Sequence, residues 1–162
     1  MFTYSDYESD FAKASKITES IYQGNMMAAS NEKALKELGI THILVAGNFL
    51  EKCFPDKFTY IQFEGDDLDY VDLYKYFKEG YEFIDNCIIK GGKILIHCAA
   101  GISRSSTFTC CYLMKKNGIT FEEAYKIVQS GRSIACPNYG FQKQLKEWYE
   151  VEVKPNLIKQ ES

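Results

Sequence analysis

The chain has 162 residues, 46% of them hydrophobic and 15% aromatic, with 3 prolines and a net charge of -3 at neutral pH. This length suits one domain with a substantial core, and the composition is that of a globular chain rather than a disordered or low-complexity one. A net negative charge supplies no global field for nucleic acid or an anionic membrane, so neither is expected as a partner and any basic site must be local.

The opening "MFTYSDYESDFAKASK" lacks the apolar stretch of a secretory signal and the second-position glycine of a myristoylation site. No apolar run approaches the length of a membrane span. The six cysteines, Cys53, Cys87, Cys98, Cys110, Cys111 and Cys136, are therefore expected to be reduced thiols of a cytoplasmic or nuclear protein. They form no CxxC pair, and His42 and His97 lie far apart, so no metal or cofactor is expected.

In chain order, "ESIYQG" and "THILVAG" read as short strands closed by glycine. Between them "SNEKALKELG" carries Ala34, Leu35 and Leu38 at helical spacing and stops at Gly39. "KFTYIQF" alternates as a further strand. Tyr70, Tyr74, Phe77, Tyr81, Ile84 and Ile88 then form a three-and-four stripe, which predicts one long helix ending at "KGG" with its aromatic face in the core. "KILI" is too short between its glycine pair and the following polar loop to be a helix, and reads as a buried central strand.

After that loop, a helix from about Arg104 to Lys116 should stop at "NG". Thr120 and Glu123 start another in capping-box positions, and Phe141, Leu145 and Trp148 mark the last. "VKPNLIKQES" reads as a frayed tail. The expected fold class is α/β: a central, mainly parallel sheet flanked by helices, with a phosphate-binding loop between a central strand and a helix. A single domain over residues 1–162 is expected, with its core at about 17–153 and segments 1–15 and 154–162 peripheral.

The chemistry concentrates in "HCAAGISRSS", residues 97–106. A strand that turns tightly into a helix points successive amides at one spot and adds the partial positive charge of the helix amino end, which suits a phosphate. Gly101 permits a positive φ or a close backbone approach, while Ala99 and Ala100 keep side chains out of the way. Arg104 at the helix start can grip two phosphate oxygens through its planar fork. The same field stabilises a thiolate at Cys98, which suggests in-line attack on phosphorus. The bland alternatives are a buried structural thiol and a surface ion pair. A leaving-group acid is needed as well, and Glu64, Asp66, Asp67 and Asp69 are the candidates, all in the loop "EGDDLD" between a strand and the long helix.

Cys98, five intervening residues, Arg104, with His97 before and Ser105 after: this pattern resembles the cysteine-dependent protein tyrosine phosphatases, most of all their dual-specificity branch. The resemblance runs from about Ile17 to Trp148 through "ITESIYQGN", "LGITHILV", "YKYFKEGYEFID", "YLMKKNGITFEEAYKIV" and "PNYGFQKQL". It implies a nucleophile at Cys98. The phosphate would be held by Arg104 and the amides of Ala99, Ala100, Gly101, Ile102, Ser103 and Arg104. The general acid falls on Asp67, with Asp66 second. By the same resemblance Ser105 steadies the departing thiolate, His97 orders the cysteine and Asn138 buttresses the loop. Asp67 read without the resemblance is a helix cap or a solvated acid, and Asn138 a cap of the final helix. Because Asp67 must carry its proton while Cys98 is ionised, a bell-shaped rate profile is expected. Cys110 and Cys111 are expected in a helix core.

The loop side chains Ala99, Ala100, Ile102 and Ser103 are neutral, whereas relatives acting on phosphoinositides or RNA 5′ ends tend to carry basic residues there. The expected substrate is therefore a phosphoprotein, cleaved at phosphotyrosine and phosphoserine or phosphothreonine, with a kinase among the candidates and a monomer as the working unit. The rivals are a phosphatase for a phosphoinositide, an RNA 5′ end or a phosphoglycan, and a non-catalytic phosphopeptide-binding module. The last would need no Cys98.

Overall fold

Apolar and β-branched runs become strands whose two faces are both covered. The structure, a computed structural model, describes residues 12–161. Residues 1–11, which carry most of the expected amino-terminal periphery and the readings of the leader, lie outside them, as does Ser162. Within the described residues, strands β1 (Ser15–Lys16), β2 (Ile21–Gly24), β3 (His42–Ala46), β4 (Thr59–Phe63) and β5 (Ile94–His97) form one sheet in the order β1-β2-β5-β3-β4. Only β1 runs antiparallel to its neighbour. The alternation of strand and helix in the sequence thus produces the expected α/β fold.

Strand side chains alternate between two cores, as the pleat requires. Tyr22, Ile43, Val45 and Leu95 pack with Leu35 beneath helices α1 (Met26–Ala29) and α2 (Glu32–Glu37). Leu44, Ala46, Ile94 and Ile96 face the larger layer, with Phe77, Phe108, Phe141 and Trp148 from α3 (Phe77–Ile89), α4 (Arg104–Asn117) and α6 (Tyr139–Trp148). Between these last two runs α5 (Phe121–Gly131), whose first turn is capped by Thr120 Oγ1 accepting from Glu123 N at 3.2 Å. Gly118 ends α4 in the left-handed conformation, φ 63°, as the "NG" pair predicts.

Two expectations need correction. The helix predicted from Tyr70 begins only with a 3-10 turn at Tyr74–Tyr76, and Tyr70 is 83% exposed rather than core. Its cause is tertiary: Gln144 Oε1 accepts from Leu73 N and Tyr74 N at 2.9 Å each, while its amide donates to Val71 O at 2.8 Å, so the chain before Tyr74 is held as a non-helical turn segment against α6. The tail is not frayed either. A π-helical turn (Tyr149–Val153) leads into α7 (Lys154–Glu161), and Leu157 packs onto the core beside Gly118. A leucine free to bury apolar area outweighs the polar residues around it.

Candidate active site

Parallel strands bring their carboxyl ends to one edge, and the functional segments all leave from there. β2 runs into α1, β3 into Gly47 and Asn48, β4 into the acidic loop, and central β5 into Cys98. Cys98 is 2% exposed. Its Sγ lies 3.2 Å from Ser105 Oγ on the first turn of α4 and accepts from Gly101 N at 3.2 Å. Gly101 has φ 69°, and a Cβ there would come within 2.7 Å of the Gly24 carbonyl carbon, so only glycine fits.

Outer donors orient the loop. Ala99 O accepts from Met26 N at 3.1 Å, Ala100 O from Arg132 Nη2 at 3.4 Å, Gly101 O from Arg132 Nε at 2.7 Å, and Ile102 O from Cys136 N at 2.8 Å. In a trans peptide the N–H points opposite to the carbonyl it shares a plane with. Four consecutive carbonyls held outward therefore turn the amides of Ala100, Gly101, Ile102 and Ser103 toward Cys98. Together with the amino end of α4 they form an anion cradle around the thiol.

Arg132 went unnoticed in the sequence, where it follows the glycine that ends α5 with no motif around it. It is 4% exposed, and burial draws its pKa below the usual guanidinium range against the opposing pull of Cys98. Its Nη1 also donates to Ser15 Oγ at 3.0 Å. A second residue without an isolated sequence signal is Gln23 on β2. Wholly buried, it donates to Ser106 Oγ at 2.7 Å and accepts from Thr109 Oγ1 at 2.9 Å, tying the strand to α4 behind the loop.

Arg104 Nη1 donates to Gly65 O at 3.0 Å, at the root of the acidic loop, while its buried Nε has no partner among the described residues. The guanidinium lies against Gly47, where φ is 149° and a Cβ would stand 2.5 Å from Nη1. The two leading acid candidates are sorted by different neighbours. Asn48 Nδ2 donates to Asp66 Oδ1 at 3.1 Å, whereas Asn138 Nδ2 donates to Asp67 Oδ1 at 2.9 Å. Asn138 makes contacts to the helix end and to the phosphate loop alike. Its Oδ1 caps α6 by accepting from Phe141 N at 2.9 Å, and its backbone amide donates to Ser103 Oγ at 2.9 Å.

His97 is 1% exposed, and burial pushes its pKa down to about 4, so the ring is neutral near pH 7. Nδ1 lies 3.3 Å from Cys98 O, which can only accept, so Nδ1 carries the hydrogen and Nε2 is left as an acceptor without a partner among the described residues. Cys87, Cys110 and Cys111 are buried in the core, and burial raises the pKa of each thiol. They stay protonated, away from the chemistry.

Known proteins resemble this chain in sequence and fold. Residues 21–151 match the model of the dual specificity phosphatase catalytic domain. MAP kinase phosphatase with leucine-rich repeats protein 1 of Dictyostelium discoideum is 46% identical over 132 residues, 82% of this chain but 16% of that protein. Dual specificity protein phosphatase 1B of Arabidopsis thaliana is 41% identical over 142 residues, covering 88% of this chain and 84% of the relative. The crystal structure of DUSP15 superposes with a TM-score of 0.83 at 31% identity, over 91% of this chain and 94% of that one. The matched domain spans most of the chain and the Arabidopsis relative is matched over most of its own length, so the chain belongs to the dual specificity protein phosphatases.

Proposed function

We propose that the chain hydrolyses phosphotyrosine and phosphoserine or phosphothreonine in proteins through a cysteinyl-phosphate intermediate. The Cys98 thiolate attacks phosphorus, forming the S–P bond as the ester P–O bond breaks and Asp67 passes its proton to the departing oxygen. Asp67, now a carboxylate, takes a proton from water. That water attacks phosphorus, the S–P bond breaks, and inorganic phosphate leaves while the Ser105 hydroxyl donates to the recovered thiolate. Arg104 and the loop amides hold the equatorial oxygens, over which the transition state spreads its charge.

One observation carries this reading: four loop carbonyls are turned outward by Met26, Arg132 and Cys136, so that the amide edges converge on a thiol already bonded to Gly101 N. Ala99, Ala100, Ile102 and Ser103 place no positive side chain around the loop, which supports a singly phosphorylated residue over a polyphosphorylated lipid or RNA end. The name of the Dictyostelium relative supports a kinase as one substrate. A nucleophile that works only as a free thiol supports a reducing compartment, cytoplasm or nucleus, with the chain acting as a monomer.

The test measures phosphate release from a peptide phosphorylated on threonine and tyrosine, and from a phosphoinositide, by wild type, Cys98→Ser and Asp67→Ala. Release from both peptide residues, abolished in Cys98→Ser and slowed in Asp67→Ala, is expected. Release from the lipid alone would overturn the substrate assignment, and peptide binding without release would make the chain a reader of phosphopeptides.

A further inference from the structure

We propose that the cavity beside the phosphate loop is a substrate subsite that takes an aromatic side chain carrying a hydrogen-bond donor, tyrosine or tryptophan, near the phosphorylated residue. This rests on the phosphoprotein reading above. The cavity holds about 350 Å³ between α1 and the segment after β3, with Met26, Met27, Phe49 and Leu50 as its apolar walls and His97 at its floor.

Both walls are fixed to the catalytic loops. Met26 N donates to Ala99 O at 3.1 Å, Gly47 lies against Arg104, and Asn48 donates to Asp66. The cavity therefore adjoins the loops that would hold the phosphate, and His97 in its lining is the residue next to Cys98. The rim is apolar and exposed: Met26 by 53%, Met27 by 57% and Phe49 by 100%. Phe49 has φ 59°, a conformation that costs a residue of its bulk and holds its ring out toward solvent. Across the cleft, Leu68, Tyr70 and Tyr139 are exposed around the Asp67–Asn138 contact. Exposed apolar side chains gathered on both sides of one cleft are the mark of a surface that receives protein.

The floor decides what fits. His97 Nε2 is buried, uncharged and without a partner among the described residues, so it needs a donor. Leucine or phenylalanine would fill the walls and leave this acceptor unmet. Lysine would bury an ammonium against a neutral ring, because the carboxylate of Glu51 stands at the exposed rim. A phenol or indole supplies both the apolar body and the donor, and methionine walls adapt to an aromatic face.

The experiment scans tyrosine through each of the five positions on either side of a phosphothreonine in an otherwise alanine-flanked peptide. Values of kcat/KM are compared for wild type, Leu50→Asp and Met27→Asp, with p-nitrophenyl phosphate as the small control. At one position tyrosine should raise kcat/KM about tenfold over alanine, mainly through KM, with phenylalanine in between. The advantage should vanish in both variants while p-nitrophenyl phosphate turnover stays unchanged. Met27→Asp, on an exposed surface, keeps the test alive if Leu50→Asp does not fold. A flat positional profile, or a preference that survives both variants, overturns the subsite and leaves the phosphoprotein reading standing. Equal rates for tyrosine, phenylalanine and leucine overturn the donor to His97. Turnover of the phosphoinositide with none of any peptide overturns the phosphoprotein reading and the subsite with it.

Discussion

The side-chain amide of Asn138 donates to Oδ1 of Asp67 at 2.9 Å, while the same residue caps α6 and holds Ser103 Oγ through its backbone. One residue thus couples the acidic loop, the phosphate loop and a helix end. Asn138→Ser keeps a capping oxygen and loses the amide donor. It should lower kcat on a phosphothreonine peptide by about 3–10-fold, with stability changed by less than about 0.5 kcal/mol. Asn138→Ala should also lose the cap, at a further cost of about 1 kcal/mol by urea unfolding.

The sorting of Asp66 and Asp67 makes a sharper test of the acid. Asp67→Asn should reduce kcat on the same peptide by about 100-fold and remove the alkaline limb of its pH profile. Asp66→Asn, which disturbs only the contact with Asn48, should stay within about threefold of wild type. If the two effects are reversed in steady-state assays, the acid is Asp66.

Gly47→Ala inserts a methyl group 2.5 Å from Arg104 Nη1. The guanidinium must move, and misplacing a phosphate-gripping group by about 1 Å costs on the order of 100-fold in kcat/KM. Weaker competitive inhibition by inorganic phosphate should accompany the loss, with the circular dichroism spectrum unchanged.

Arg132→Met fills similar space but strips the donors from Ala100 O and Gly101 O. Two carbonyls left without partners should cost about 2–4 kcal/mol in urea unfolding and reduce activity, because the amide edges behind them are no longer held inward.

The buried ring of His97 ties stability to pH. Its pKa is about 4 when folded against 6.5 when exposed, so the unfolded chain binds more protons between these values. The stability that this difference contributes is complete above pH 6.5 and is lost as pH falls toward 4, by about 3 kcal/mol in total. Urea midpoints measured at half-unit steps should show that slope, and His97→Asn should flatten it relative to wild type.

Much of this protein was legible because its signals are local. Strands β2 to β5 and helices α2, α4, α5 and α6 announce themselves by period, glycine stops and capping residues, and the catalytic loop is contiguous. Legibility failed where a distant residue intervenes. Tyr70 continues the stripe of Tyr74 and Phe77 in sequence, yet Gln144 bonds the backbone of the preceding chain and keeps it out of the helix. The tail looks polar, but Leu157 finds the core beside Gly118.

Taken alone, the amino-acid sequence determined the order of strand and helix and the loop that carries a thiol, a glycine and an arginine at one strand end. Each depends on residues within a turn or two of one another, where spacing dictates geometry. The tertiary structure alone decided which acid meets Asn138, what turns the loop amides inward, and where Arg104 rests. Those contacts join residues 71, 31 and 39 positions apart, for Asn138 with Asp67, Arg132 with Gly101 and Arg104 with Gly65. Partners so distant are chosen by how the sheet and helices pack, which the spacing along the chain does not encode.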